Sequence, residues 1–476
     1  MSRPEFQQVT GGGSRLILYP ELSPGVVDPS SAGVVLAIHE DTLAVSSNKQ
    51  TSSVITGRRG AGKPVAGQPD YSGGITLAAY AAQTGHLIRA LCGTPVTTPE
   101  TALTLSAAAV TDEGNGFVGL PASGNKFVQD CAITVTGTEN YDGTYLCEEG
   151  TTAEKIVISA VFKAETLTAS AKVHRGKAAF FEGEAKELEG GLVELPLGGV
   201  GTSLSQGDTV TIEGSTGYNG VHVLAEGTNS NRLVIKAAYA AETFDGTAVG
   251  IPSSWKHEWK LPKRQPTVTI VRELDFEEGA AKEPFYVFQS CKISGFNFAF
   301  GSDDELRFEV TFSIGSAETR AERPNAGLEP VNLGQGGWAN KETAFWIDGK
   351  RTGDVSSGSV SQNYSITASA AVGDRGKRYR QSEGDPVCNI SFETFLEHDR
   401  YQQLANNNET IRMDISIDSA IGDEFWLHLY ESELNTEGPK INTKGGITQS
   451  FEGLGFVEHG DTLVGYTIIS RVESYA

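Results

Sequence analysis

Short runs in which apolar and polar positions alternate, separated by glycine-bearing turns, fill most of the chain. "PTVTIVREL", "ELRFEVTFSIG", "ETIRMDISIDS" and "TLVGYTIISRV" follow a period of two, which turns one face of a β-strand toward a core. Helical spacing is confined to two stretches. One carries Leu87, Ile88 and Leu91, the other Tyr401 and Leu404, and each makes a narrow apolar stripe suited to a short helix lying on a sheet. The pattern predicts a mainly β protein with little helix.

One strand pattern occurs twice. "GTENYDGTYLCEEGTTAEKIVISAVFKAET" from Gly137 returns as "GSTGYNGVHVLAEGTNSNRLVIKAAYAAET" from Gly214. Without a gap, Gly137, Tyr141 and Gly143 stand against Gly214, Tyr218 and Gly220, and Glu165 and Thr166 against Glu242 and Thr243. Each copy reads strand, turn, strand, turn, strand, because Asp-Gly and Asn-Gly supply the left-handed residues of a tight hairpin. Tyr141 and Tyr218 are expected as corner tyrosines packed over the turn, with stacking on a ligand as the competing reading. "FVGLP" and "LVELP" precede the copies, so the repeat predicts two small all-β modules over 104–176 and 177–250.

A fainter duplication surrounds the first. "SSVITGRRGAGKPVAGQPDYSGGITLAAYAAQTGHLIRALCG" and "YSITASAAVGDRGKRYRQSEGDPVCNISFETFLEHDRYQQLANN" both run strand, basic glycine-bearing loop, strand, short helix. The first loop carries Arg58, Arg59 and Lys63, the second Arg375, Lys377, Arg378 and Arg380. Alternating strands follow in each half. The organisation expected is one β domain over 1–103 and 251–330, interrupted by the two modules and followed by its diverged copy over 331–476.

Composition narrows the chemistry. At 476 residues the length suits about three or four domains, and 56 glycines fit strands joined by tight turns. A formal charge of −22 argues against attraction to nucleic-acid phosphate or anionic lipid. Neither a signal peptide nor an apolar run of about 18 residues is visible, so the product is expected to be made soluble in the cytoplasm, with no membrane contact. The five cysteines lack metal-ligand spacing. Cys131 and Cys147 could face each other across the first module's hairpin, but Asp208 and Leu224 stand at their places in the second. Reduced thiols are therefore expected. No phosphate-binding, zinc-protease, serine-hydrolase or EF-hand motif occurs, and His257, in "SWKHEWKLPKR", lacks a second ligand at metal spacing. Catalytic, cofactor and metal sites are expected to be absent.

The order of elements, above all "SSVITGRRG…SGGITLAAYAAQTGHLIRALCG" and "YVFQSCKISGFNFAFGSDDELRFEVTFSIGSAE" with their weaker copies, resembles the tail tube proteins of long, non-contractile bacteriophage tails. The likeness covers roughly 15–103 and 251–476, and "NYDGTY" is similar to small β domains, Ig-like in character, of phage tail and baseplate proteins. The resemblance implies two tube-type β sandwich or barrel domains, each with one short helix, plus two inserted β modules. It also implies homotrimeric, pseudo-sixfold rings stacked into the tail tube of a virion assembled in the bacterial cytoplasm. Partners implied are further copies of the chain, other tail proteins at the tube ends and a tape measure protein in the lumen, with DNA as transient cargo. The modules would decorate the outside and could touch the host surface. The two basic loops become candidate contacts between rings, since a brake on DNA would work against ejection.

Aspartate and glutamate outnumber lysine and arginine by 60 to 38 over the chain, and by 19 to 9 within 104–250. The excess outside the modules has the sign a DNA conduit needs. An adhesin whose β modules bind host glycan or protein is the alternative function. An enzyme would need converging acids, bases or ligands that the sequence does not offer.

Overall fold

The computed structural model describes residues 13–46, 49–50, 64–198, 204, 206–275, 284–301, 305–333, 338–370, 376–396, 399–418, 422–436, 438, 447–460 and 462–475. They fall into two compact units. One comprises Met1–Pro95, Trp259–Ser416 and Leu427–Tyr466; the other comprises Val96–Glu258, Ile417–Trp426 and Thr467–Ala476. Both are mainly β, as the alternation predicts.

In the first unit the alternating runs form two successive sets of elements. The first set is β1 (Arg15–Ser23), β2 (Ile38–Asp41), β3 (Ala44–Ser46), β4 (Asp70–Ser72), β5 (Gly74–Ala78), helix α1 (Ala81–Cys92), β6 (Val268–Glu273), β7 (Phe285–Phe300) and β8 (Arg307–Ser313). The second is β9 (Thr343–Ile347), β10 (Val355–Asn363), β11 (Ile366–Ser369), β12 (Arg380–Glu383), β13 (Val387–Phe395), helix α2 (Arg400–Asn407), β14 (Ile411–Asp418), β15 (Glu424–Thr436) and β16 (Thr448–Gly455). Residues 417–418 of β14 and 424–426 of β15 belong to the second unit.

Antiparallel pairs join β2–β5–β8–β7–β10–β13–β16–β15 in that order into one sheet. Its inward positions are aromatic. Phe308 lies 5.0 Å from Phe296 and 5.3 Å from Phe298 between ring centroids, and Phe451 lies 5.5 Å from Phe392 and 5.6 Å from Tyr401 of α2. Tilted, edge-on and stacked pairs at such spacings add to what burial alone contributes.

Helix α1 buries Leu87, Ile88 and Leu91, the predicted stripe. It also buries a glutamine that the apolar pattern passes over. Gln83 accepts the Ala37 N–H at 2.6 Å and donates to the carbonyls of Ala78 at 2.8 Å and Ala37 at 3.2 Å, so one amide fills backbone positions beside β2 and β5. Gly93 ends the helix at φ 86°, with its N–H donating to the Arg89 carbonyl, a conformation a β-carbon would strain. Helix α2 buries Tyr401, while Leu404 is half-buried.

Within the second unit, each copy of the sequence repeat is a sandwich of a four-stranded and a three-stranded sheet, and each has its own core of buried residues. The repeated residues do the same work in both. Tyr141 and Tyr218 are 1% exposed. The Tyr141 hydroxyl donates to the Lys163 carbonyl at 2.6 Å and accepts the Lys163 N–H at 2.8 Å; Tyr218 does likewise with Ala240 at 2.5 and 2.9 Å. These are corner tyrosines, and their buried rings leave no face for a ligand to stack on. Glu165 accepts the N–H groups of Glu139 and Asn140, and Glu242 those of Thr216 and Gly217. Gly137 and Gly214 take φ of 76° and 79°, with main chain of residues 170–171 and 247–248 packed against them, so both geometry and space favour glycine. Gly143 and Gly220, at φ 156° and 131°, open the strand that follows.

The second unit holds a buried charge cluster at the end of the first module. Arg175 pairs with Glu424 and lies 3.6 Å from Glu100; its guanidinium covers the Phe127 ring at 5.1 Å and donates to Cys131 Sγ at 3.0 Å. Arg175 and Glu424 are 7% and 3% exposed, so each is the counter-ion that makes the other's burial tolerable. The five cysteines are buried free thiols, and burial pushes the Cys147 and Cys388 thiols up to about 12. Cys131 and Cys147 face each other through the backbone, Cys147 N donating to Cys131 O at 2.9 Å.

Two outcomes are expected. Tyr141→Phe and Tyr218→Phe should each cost about 2 kcal/mol locally, seen as roughly thirtyfold faster amide exchange at Lys163 and Ala240; unchanged rates would contradict the corner role. Arg175→Ala should lower stability by about 3–5 kcal/mol in urea unfolding, and Arg175→Met with Glu424→Gln by less. Equal losses would mean that the cost lies in packing, not in stranded charge.

Candidate assembly surfaces

The two strand sets of the first unit share a register in the strands β2 and β5 and their counterparts β10 and β13. Ile38 faces Leu77, then the register skips one residue so that Glu40 faces Thr76; Val355 faces Thr394, then Ser357 faces Glu393 after the same skip. Each later number exceeds the earlier by 317 (355 against 38, 394 against 77). A shared bulge at a constant offset marks a common ancestral hairpin more firmly than side-chain identity does. By this offset β2 and β3 correspond to β10, and β5 corresponds to β13.

The correspondence extends to the third and fourth strands. Val310 of β8 faces Ile75 on one side and Phe296 of β7 on the other. Phe451 of β16 faces Phe392 and Thr436 of β15. Thr436 therefore occupies the place of Phe296. The sheet is a four-stranded pattern laid down twice in the same direction, β2–β5–β8–β7 and then β10–β13–β16–β15.

The two patterns meet where β7 pairs with β10, from Gly295 opposite Asn363 to Phe300 opposite Gly358. Gln362 lies at this seam opposite Phe296 and is 2% exposed. Its counterpart at the start of the sheet is Val45 of β3, which is 48% exposed. Among the described residues β2 pairs with β5, and β3 with β4. The same position is thus covered at the internal seam and bare at the sheet's leading edge, where an exposed apolar side chain on an edge strand favours addition of another strand, although the neighbouring Leu43 carbonyl accepts from Arg272 at 2.7 Å.

Alternation gives the sheet a second surface, opposite the aromatic core. Register places Thr76, Glu309, Asn297, Ser361 and Asn389 side by side across five strands. Ser359, Ser391, Glu452 and Asn435 form a neighbouring row, and Asn389 donates to Glu452 at 3.1 Å. Ala299, Val387, Phe395 and Leu454 are its apolar members. The described carboxylates on it are Glu40, Glu309, Glu393, Glu433 and Glu452, against one cation, Arg307. The surface is flat, rich in small polar groups and negative.

Of the loop cations singled out in the sequence, Arg58, Arg59, Lys63 and Arg375 lie outside the described residues. Arg378 is held within its own unit: it donates to Asp70 Oδ1 and to the Pro69 carbonyl, both at 3.0 Å, and lies over the Tyr71 ring at 5.8 Å. Lys377 covers Tyr379 at 5.6 Å, and Arg380 opens β12 with an exposed side chain. His257 is fully buried; a carbonyl can only accept, so Nε2 donates to Val472 O at 2.8 Å and Nδ1 accepts from Thr97 Oγ1 at 2.9 Å. Burial holds its pKa below the ordinary histidine value, and both nitrogens are occupied as a structural residue requires. The polar sheet face was missed by sequence reading, although its signal was present: the polar half of each alternating run is serine, threonine, asparagine or glutamate, seldom lysine.

A family model described as phage tail tube protein matches residues 11–455. No curated protein matches the chain.

Proposed function

The chain belongs to the phage tail tube protein family, a structural component of the virion tail, and on that premise we propose that three copies close into a ring of six equivalent tube domains that stacks into the conduit for DNA. The observation that carries this reading is the internal seam. β7 and β10 join two copies of one four-stranded pattern edge to edge in the same direction, so the same join made between chains repeats the step until the sheet returns on itself. Closure leaves no sheet edge open, which is how a barrel escapes runaway strand addition. The offset specifies the pairing: Thr436 of one copy opposite Val45 of the next, as Phe296 lies opposite Gln362.

The negative, small-residue face of the sheet is the reading's lumen. Carboxylates along a narrow channel repel phosphate, and with water between them the repulsion keeps DNA from adhering to the wall. Short serine and asparagine side chains leave the bore open. The modules, each with its own core, are read as decorations on the outside of the tube. A second reading, that they also hold a host-surface ligand, draws on matched exposure: Leu146 and Phe162 in the first copy and Val223 and Tyr239 in the second are all exposed at repeat-equivalent positions.

Val45→Glu tests the seam. The monomer should fold as before, since Val45 is exposed, whereas burying a carboxylate at every seam would cost roughly 3–5 kcal/mol each; sedimentation should then show monomers where the unaltered protein forms rings. Assembly at wild-type concentration would remove β3 from the interface. Deleting 104–250 and bridging the flanks, with Glu424→Gln to neutralise the carboxylate that loses Arg175, should leave tubes of normal bore but smaller outer diameter in electron micrographs, and failure of the truncated chain to assemble would contradict the decoration reading.

A further inference from the structure

The first unit contains a groove of about 820 Å³ whose chemistry differs from the acidic balance of the chain. Its walls are the end of β1 with the following turn (Glu21–Pro24), the segment Lys263–Thr267 leading into β6, Lys292 of β7, and β12 with Tyr379. Two carboxylates lie in those walls, and both are already engaged. Glu21 accepts Thr269 Oγ1 at 2.6 Å and the N–H groups of Ser290 and Gly25 at 2.8 and 2.9 Å. Glu383 pairs with Lys292 and accepts the Gln265 N–H at 3.0 Å. Lys263, Arg264 and Arg380 are exposed at the same groove, and among the described residues none has a carboxylate partner. A protein with 22 more acidic than basic residues (60 against 38) thus gathers three uncommitted cations around one depression.

The floor narrows the choice of ligand. Gln265 Oε1 and Gln381 Oε1 are buried acceptors without a hydrogen-bond donor, and Gln265 is 7% exposed. Buried amide oxygens normally find a donor. A phosphodiester backbone would satisfy the cations but offers the amides nothing, whereas a peptide bearing aspartate or glutamate offers carboxylates to the rim and N–H groups to amide oxygens that turn toward it.

We propose that this groove binds an acidic peptide segment of a second copy of this chain, in the adjacent ring of the stacked tube. The proposal rests on the ring reading above. The second copy is favoured as the occupant by charge complementarity, since every copy carries an excess of carboxylates, 60 acidic against 38 basic residues, while the groove's cations lack such partners within their own unit.

Carbodiimide coupling, which joins an amine to a touching carboxylate, tests the contact on assembled tubes grown from equal parts of ¹⁴N- and ¹⁵N-labelled protein. Lys263 is expected in mixed-isotope cross-links to an Asp- or Glu-bearing peptide of this chain, while Lys292–Glu383, an internal control, stays within one isotope. Lys263 links of single isotope only, or none at all, would overturn the proposal. In parallel, Lys263→Glu with Arg264→Glu should still form rings yet elongate tubes at least about tenfold more slowly, with salt slowing the wild type more than the variant. Rings that stack at the wild-type rate refute the groove contact alone. Wild-type protein that makes no rings refutes the ring reading instead, and coupling of the purified chain in solution then decides the groove: mixed-isotope Lys263 links support it and their absence refutes it. Retention of a DNA oligonucleotide by wild-type protein and its loss in the charge-reversed variant would also overturn it.

Discussion

An open sheet edge presents unpaired N–H and C=O groups, and the first unit is organised around satisfying them by repetition. Its eight-stranded sheet is one four-stranded pattern used twice, joined where β7 meets β10. That join keeps the bulge register and the direction of the sheet, so the leading edge at β2 and β3 has the form the second pattern offers to the first. Main-chain hydrogen bonds are individually modest in net effect, yet a seam of six facing residue pairs also fixes direction and register, which side-chain contacts alone do less well. Val45 marks the consequence: apolar and bare at the edge, where its counterpart Gln362 is covered.

From that constraint the two faces of the sheet acquire different tasks. The inner positions, many of them aromatic, build the core together with residues such as Tyr401 of α2, while the outer positions carry small polar and acidic side chains. Five glutamates against one arginine make that surface negative, as the proposed lumen requires. Cations are placed elsewhere, either tied down locally, as Arg378 is to Asp70, or collected at the groove beside β12.

Much of this was legible in the sequence. The period-two runs gave the mainly β fold, and the module repeat was readable down to its turns because Gly137, Tyr141 and Glu165 serve hydrogen bonds local to the repeat. The paired helices were legible from Leu87, Ile88, Leu91 and Tyr401, whereas Gln83 was not, since a buried amide carries no periodic signal. Arg378, a candidate contact between rings, has a partner within the chain that sequence does not show: its guanidinium meets Asp70, more than three hundred residues earlier. Partners so distant have no local signature. Arg175 and Glu424 went unread for the same reason, and the groove depends on Gln265 and Gln381 meeting from different halves.

The central claim is that the seam between chains repeats the seam within the chain. A cryo-electron microscopy reconstruction of tubes grown from the purified protein tests it most directly. The account predicts threefold rotational symmetry, six similar domains around each ring, and antiparallel main-chain pairing that sets Thr436 of one copy opposite Val45 of the next. A ring of six chains, or a threefold ring in which β3 faces solvent, would contradict it.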